Sequence, residues 1–157
     1  MMFRRRLLAV AVPFPSRWVH DEWLAIIAAA TGRLDIVDEP LVDYRQHGSN
    51  VIGVVYRTLR RKVHRVLEPR GDRNERLSAQ FAQFAERLES RGSLVPLEVR
   101  GLARDKATFG SERQALPPAR RRRVAPILAA HGRGRYSRFA SQGRLDMVRD
   151  LLQPHGL

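Results

Sequence analysis

The first forty residues alternate between short apolar runs and breaks made by proline or glycine. Residues 3–11 have the apolar spacing of a short helix, and the PFP turn at 13–15 should end it because proline cannot continue a helix. A second helix is predicted next, with Asp21 as its N-cap and an apolar body over residues 24–30. Gly32 is expected to end this helix.

Two short strands are predicted after the second helix. Residues 34–38 and 41–45 contain the apolar and β-branched residues typical of strands, and the Glu39-Pro40 pair between them favours a turn. The sequence QHGSN at 46–50 has the composition of a loop. We therefore expect an α/β region over residues 1–56.

From Val54 onwards the apolar positions follow the three-and-four spacing of helices. The region 57–157 is therefore predicted to be a helical extension, so that helix dominates the chain as a whole. Pro126 lies inside one of these segments and is expected to interrupt or kink it. The predicted helices lie at about 58–68, at 77–88, from Pro96 towards Phe109, from Pro117 through Leu128, and at 145–152.

The net positive charge is confined to the helical extension. The chain has 157 residues and a formal net charge of +13. Residues 1–56 hold six arginines and six acids, so the remaining residues carry the whole excess. Such a segment favours an anionic partner, such as a membrane surface, a nucleic acid or a phosphorylated ligand.

Composition also excludes some classes of protein. No cysteine is present, which excludes disulfides and thiolate metal sites. The longest apolar stretch, residues 24–30, is far shorter than the roughly 20 residues that a membrane span requires. The start MMFRRRLLAVAVPFP is similar in outline to a signal peptide, but prolines stand where a cleavage site is needed, so we expect a short helix there.

Two residues are candidates for chemistry. Asp21 lies in HDEW, where it places a carboxylate at a helix start between two tryptophans. His47 lies in a loop that contains glycine and asparagine, just after a predicted strand. Each also has a simpler interpretation, since an aspartate before an apolar helix is most often an N-cap and a single loop histidine often has no special role.

The order of motifs resembles the second half of bacterial family 2 glycosyltransferases, particularly rhamnosyltransferases. The similar segments are MMFRRRLL, PFP, HDEW, an alanine-rich helix ended by glycine, DEPLVDYRQHGSNVIG, and the closing GRYSRFASQGRLDMVRDLL. The resemblance implies that residues 1–56 are the C-terminal portion of a GT-A catalytic domain, which is a Rossmann-like fold. It also implies inverting transfer of a sugar from a nucleotide sugar to a saccharide or lipid-linked acceptor.

The resemblance assigns roles to particular residues. It implies that Asp21 is the catalytic base and that His47 binds a divalent metal ion, Mg²⁺ or Mn²⁺. It further implies substrate contacts by the remaining polar or aromatic residues of the two motifs, which are His20, Trp23, Arg45, Gln46 and Asn50.

One feature of the family is missing from this sequence. No D-x-D triplet, which would supply the main metal carboxylates, occurs in the 157 residues, and neither does a nucleotide-binding half. We therefore expect the product of a disrupted gene, a chain with a misassigned start, or one part of a split enzyme, and in each case a chain that is inactive alone. In the split case its partner is a separately encoded N-terminal half. The expected location is the cytoplasm, at the inner face of the membrane.

A second interpretation is a small basic binding module. RTLRRKVHR at 57–65 and the four arginines at 120–123 could bind phosphate groups of nucleic acid or of an anionic membrane. Nucleic acid is the less favoured ligand, because the aromatic residues are not interleaved with the arginines. The predicted helix 58–68 has an apolar stripe opposite a basic face. This pattern is expected of a helix that lies on a membrane, and equally of a helix with a solvated basic face that packs over the missing half.

Overall fold

The protein is described here by a computed structural model that covers residues 1–40 and 71–154, of which helices make up 69%. Short 3-10 turns at Arg5–Leu7 and Gly92–Leu94 precede the first and fourth α-helices. The α-helices of the described residues are α1 (Leu8–Ala11), α2 (His20–Thr31), α3 (Arg73–Ser90), α4 (Leu97–Gln114), α5 (Arg120–Gly132), α6 (Arg135–Phe139) and α7 (Arg144–Leu152).

The predicted α/β class is wrong, because the described residues contain no strand. Residues 34–38 follow α2 as an irregular and exposed segment. A strand needs a neighbour to bond its backbone groups, and no such neighbour lies beside residues 34–38 in the described part of the chain. The other predicted strand, 41–45, lies outside the described residues.

Most of the helix predictions that can be compared are confirmed. Each predicted helix before residue 40 and after residue 71 is present, and α4 continues five residues beyond Phe109 to Gln114. The helix α5 runs through Pro126 without ending there. The predicted helix over 58–68 and the proposed domain boundary at residue 56 lie outside the described residues.

The first hydrophobic core joins the N-terminal helices to the long α3–α4 hairpin. Trp23 and Ile27 of α2 are fully buried against α1 and against Leu88 of α3. α3 and α4 pack along their length, and Gly110 of α4 allows a close approach, since a Cβ there would lie 3.3 Å from the Cα of Ser78. The described residues before 40 and after 71 therefore share one core.

A second core lies at the other end of α4. Phe109 stacks edge-on against Tyr136 of α6, with 5.1 Å between ring centroids. Ile127 of α5 and Leu116 complete the buried cluster, which Met147 of α7 borders. Because α4 contributes Ala103 to the first core and Phe109 to the second, it connects the two.

No helix within residues 1–40 and 71–154 combines the length and the apolar character needed to cross a membrane.

Candidate functional site

The predicted catalytic residue lies at the exposed start of α2. Val19 is the N-cap, so Asp21 lies within the first turn of the helix and does not cap it. The Asp21 side chain is 67% exposed, and its Oδ1 lies 3.0 Å from Nε2 of His20. A carboxylate in the first turn interacts favourably with the positive end of the helix dipole. His20 and Asp21 are therefore in contact with each other, and both face solvent.

Trp23 holds this end of α2 in place. Its Nε1 donates a 2.8 Å hydrogen bond to the carbonyl of Ala11, which links α2 to α1. Its ring packs against Phe84 edge-on and lies 5.3 Å from the guanidinium of Arg87. Because Trp23 is fully buried, its placement offers no surface to a substrate, and the predicted substrate contact gains no support.

A second tryptophan, Trp18, holds the segment just before α2 in place. Trp18 lies 5.6 Å from Trp23 between ring centroids and donates a hydrogen bond to the carbonyl of Gln80 in α3. Gln80 in turn donates to the carbonyl of Arg17 over 2.6 Å. The backbone just before His20 is thus tied to α3 by two reciprocal contacts.

Arg87 of α3 holds the turn between α1 and α2. Arg87 donates to the carbonyls of Val10, Ala11 and Pro13, at 3.0, 2.8 and 2.8 Å. Burial, followed by the charge of nearby Arg91, lowers the pKa of Arg87 from its ordinary value. These carbonyls belong to the segment that ends α1, where no further helical turn is available to bond them.

The rest of the predicted site lies outside the described residues. This applies to Arg45, Gln46, His47 and Asn50, so the roles that the resemblance implies for these four residues stay predictions. Within residues 1–40 and 71–154, no three side chains of histidine, aspartate or glutamate are grouped so as to hold a metal ion. The Mg²⁺ or Mn²⁺ site likewise stays a prediction.

A buried polar network joins the C-terminal helices and was not foreseen from the sequence. Asp150 of α7 accepts hydrogen bonds from Nε of Arg113 at 2.5 Å and from the Tyr136 hydroxyl at 2.9 Å. Asn74 of α3 donates to the other oxygen of Asp150. Burial alone would lower the pKa of Arg113, but the hydrogen bond to Asp150 and the charge of Asp150 raise it.

Arg123 is the second centre of this network. It is fully buried, although it is the last of four consecutive arginines. Its guanidinium donates to carbonyls on both sides of α5: Pro117 at 2.6 Å, Pro118 at 2.6 Å, Asp150 at 3.1 Å and Gln153 at 2.7 Å. Arg123 therefore binds the chain before α5 to the end of α7 and is part of the architecture.

The sequence carried a weak signal for this network. Phe109 and Arg113 are four residues apart on α4, and Asp146 and Asp150 are four apart on α7, so each pair shares a helix face with apolar neighbours. Charged residues on an apolar face are ordinarily solvated at the edge of the stripe, which is why the pattern alone did not distinguish them.

A cavity of about 310 Å³ opens beside the second core, between α4, α5 and α6. Its walls are largely apolar, and the charged residues on it include Glu112 and Arg133. Glu112 is paired with Arg135. The cavity therefore has the character of a hydrophobic cleft with a polar rim.

Comparison of the chain with family models, curated proteins and solved structures yields no match.

Proposed function

We propose that this chain supplies the catalytic base of an inverting family 2 glycosyltransferase, with Asp21 as that base. The observation that carries the proposal is the exposed carboxylate of Asp21 at a helix start, which the buried Trp23 anchors. The resemblance of HDEW and of the downstream motifs to this family supplies the reaction.

The role of Asp21 follows from the chemistry of sugar transfer. A sugar hydroxyl is a weak nucleophile until a base accepts its proton. In the proposed reaction Asp21 takes the proton of the acceptor hydroxyl, and the hydroxyl oxygen forms a bond to the anomeric carbon of the donor. The bond from that carbon to the nucleoside diphosphate breaks with inversion. The donor sugar is not specified by these residues, although rhamnose fits the resemblance.

His20 has a supporting role in this proposal. Its Nε2 lies within hydrogen-bond distance of Oδ1 of Asp21, so the imidazole can orient the carboxylate and leave Oδ2 to accept the proton. His20 is also a proposed contact to the acceptor. Glu22 is in the same helical turn and is exposed, but no contact with His20 fixes its carboxylate in the described residues.

The proposed enzyme needs parts that lie outside these 157 residues. No D-x-D triplet is present, so the main carboxylate ligands of Mg²⁺ or Mn²⁺ would come from a nucleotide-binding half, with His47 completing the site. When bound, the metal neutralises the diphosphate leaving group. The proposed partners are thus a nucleotide sugar, a saccharide or lipid-linked acceptor, and a separate N-terminal half.

The test is complementation with such a half. The chain is mixed with the nucleotide-binding half of a family 2 rhamnosyltransferase, a set of nucleotide sugars and a saccharide acceptor, and release of nucleoside diphosphate is measured. We expect transfer, and we expect Asp21→Asn to reduce its rate roughly 100- to 10,000-fold through loss of the base. Glu22→Gln is the matched control, because it removes a neighbouring exposed carboxylate, and should retain the rate within a few-fold.

Two results would contradict the proposal. One is a mixture that releases no nucleoside diphosphate with any donor. The other is an equal loss of rate in Asp21→Asn and Glu22→Gln. This result would show that the rate depends on the negative charge at the helix start and not on Asp21 as a base. Circular dichroism of both variants checks that α2 is retained.

A further inference from the structure

The longest stretch of this chain without an acid surrounds α5. Between Glu112 and Asp146 there are nine arginines and no aspartate or glutamate. The acids that border the stretch do not offset this charge at the surface, since Glu112 is paired with Arg135 and Asp146 is fully buried. The surface around α5 is therefore positive.

The arginines at the start of α5 are of two kinds. Arg123 is buried and bound to backbone carbonyls, whereas Arg120, Arg121 and Arg122 are exposed. Within the described residues no ion pair joins any of these three to an acid. They also lie at the positive end of the helix dipole, where cations are unfavourable and an external anion would be favourable.

Large apolar side chains lie beside these arginines on the outer side of the helix. Val124 and Leu128 are four residues apart and therefore share a face, and they are 42% and 58% exposed. Arg120 is four residues before Val124 and Arg121 is three before it, so the charges and the apolar pair lie on one side of α5. The buried residues Arg123 and Ile127 lie on the neighbouring side of the helix, and Arg122 lies on a different side from Val124, in the first turn.

We propose that this outer face of α5 binds the surface of an anionic lipid bilayer. Phosphate groups of the lipids would contact Arg120 and Arg121, with Arg122 adding charge at the helix start, while Val124 and Leu128 enter the boundary between headgroups and acyl chains. An exposed apolar strip flanked by cations is the arrangement that helices lying in this boundary present. The inference does not depend on sugar transfer.

A nucleic acid is the less suitable ligand for the same face. Single strands are bound by aromatic side chains on which bases stack, together with cations. The exposed side chains beside these arginines are aliphatic, and the nearby Tyr136 is buried in the second core. The apolar pair would gain nothing from a phosphate backbone, whereas a bilayer would remove it from water.

The test of the charges is sedimentation of the full chain with vesicles. One set is pure phosphatidylcholine, and the other is an equimolar mixture of phosphatidylcholine and phosphatidylglycerol. We expect binding to the mixed vesicles alone, reduced by salt, and on the order of 100-fold weaker binding when Arg120, Arg121 and Arg122 are all changed to glutamine. The control changes Arg4, Arg5 and Arg6 to glutamine, which removes the same charge from exposed residues elsewhere and should leave binding within about threefold.

The test of the apolar pair uses the same assay. Val124→Ser with Leu128→Ser should weaken binding on the order of tenfold or more, because two branched side chains no longer enter the bilayer. Leu94→Ser with Leu97→Ser changes two exposed leucines elsewhere and should have little effect. Circular dichroism checks that each variant is folded.

Several outcomes would overturn the proposal. Equal loss in the two triple variants would assign the binding to net charge, and equal binding to neutral vesicles would exclude a role for anionic lipid. Unchanged binding of the Val124 and Leu128 double variant would exclude insertion. Binding of single-stranded RNA that is lost in the α5 triple variant, with vesicle binding retained, would make this face a nucleic-acid site.

Discussion

At the scale of single residues, Asp150 is the position where most of the buried polar contacts of the C-terminal helices meet. It is almost completely buried and accepts from Arg113, Tyr136 and Asn74. Burying two opposite charges costs solvation free energy, which their attraction must offset. An intact buried pair therefore adds little net stability, but loss of one member is strongly destabilising. Removing one member leaves the other charge buried without compensation.

We therefore expect Asp150→Asn to lower the free energy of unfolding by about 3 to 5 kcal/mol, because Arg113 stays buried and loses the charge of the carboxylate to which it is hydrogen-bonded. Asp72→Asn is the control, since Asp72 is exposed and its pair with Arg76 is exposed too, so the loss should stay within about 0.5 kcal/mol. Urea unfolding of both variants measures the difference. A loss below about 1 kcal/mol in Asp150→Asn would show that Arg113 finds other partners.

The candidate site was predicted in part from the sequence. The helix start at HDEW was found, but Asp21 was expected at the N-cap, and the structure places Val19 there. The substrate contact expected of Trp23 was implied by the resemblance to the glycosyltransferases. Helical spacing from Trp23 to Ile27 and Ala30 puts it on the inward face instead, which is where the structure has it.

At the scale of elements, the two glycines inside α4 have different surroundings. A Cβ added at Gly101 meets no heavy atom within 4 Å, whereas one at Gly110 meets the backbone of Ser78 in α3. Glycine is the weaker helix former at both positions, because it leaves more conformational freedom to the unfolded chain. Only at Gly110 does close packing against α3 require a glycine.

Gly101→Ala should accordingly raise the free energy of unfolding by about 0.5 to 1 kcal/mol. Gly110→Ala should be less stable than Gly101→Ala by about 1 kcal/mol or more, because α3 must move away to admit the methyl group. Urea unfolding of the two variants side by side measures this order. Equal stabilisation by the two variants would mean that α3 and α4 can move apart at Gly110 without a loss of stability.

The helices were predictable where apolar spacing is long and regular, and the failures lie where it is not. The segment 34–38 has the residues of a strand, but a strand also requires a partner, and local composition carries no information on partners. The five-residue helix α6 was not predicted, because one turn and a half holds too few positions to show a period. Its Tyr136 is fixed by contacts with α4 and α7 instead.

At the scale of the whole molecule, the long helix α4 links two cores that hold different reporters. Both tryptophans, Trp18 and Trp23, belong to the first core, whereas the second contains Phe109 and Tyr136. Tryptophan fluorescence therefore reports on the first core, and far-ultraviolet circular dichroism on the helices of both. The two signals can show whether the cores unfold together.

We expect the two signals to give the same urea midpoint, because unfolding either core removes the packing that stabilises α4. Asp150→Asn, although it lies in the C-terminal network, should lower both midpoints together. A fluorescence midpoint that stays unchanged in this variant while the dichroism midpoint falls would show two independently folding parts. Measurement at several protein concentrations checks that self-association does not contribute.

Arg123 donates to four carbonyl oxygens, and lysine could not replace it there. The flat guanidinium presents five donors in a fixed fork, whereas an ammonium is a single compact group that cannot span the carbonyls before α5 and those at the end of α7. Its three predecessors in the run face solvent, where either cation would serve. Of the four consecutive arginines, Arg123 thus requires the shape of the guanidinium, whereas the other three require only a positive charge.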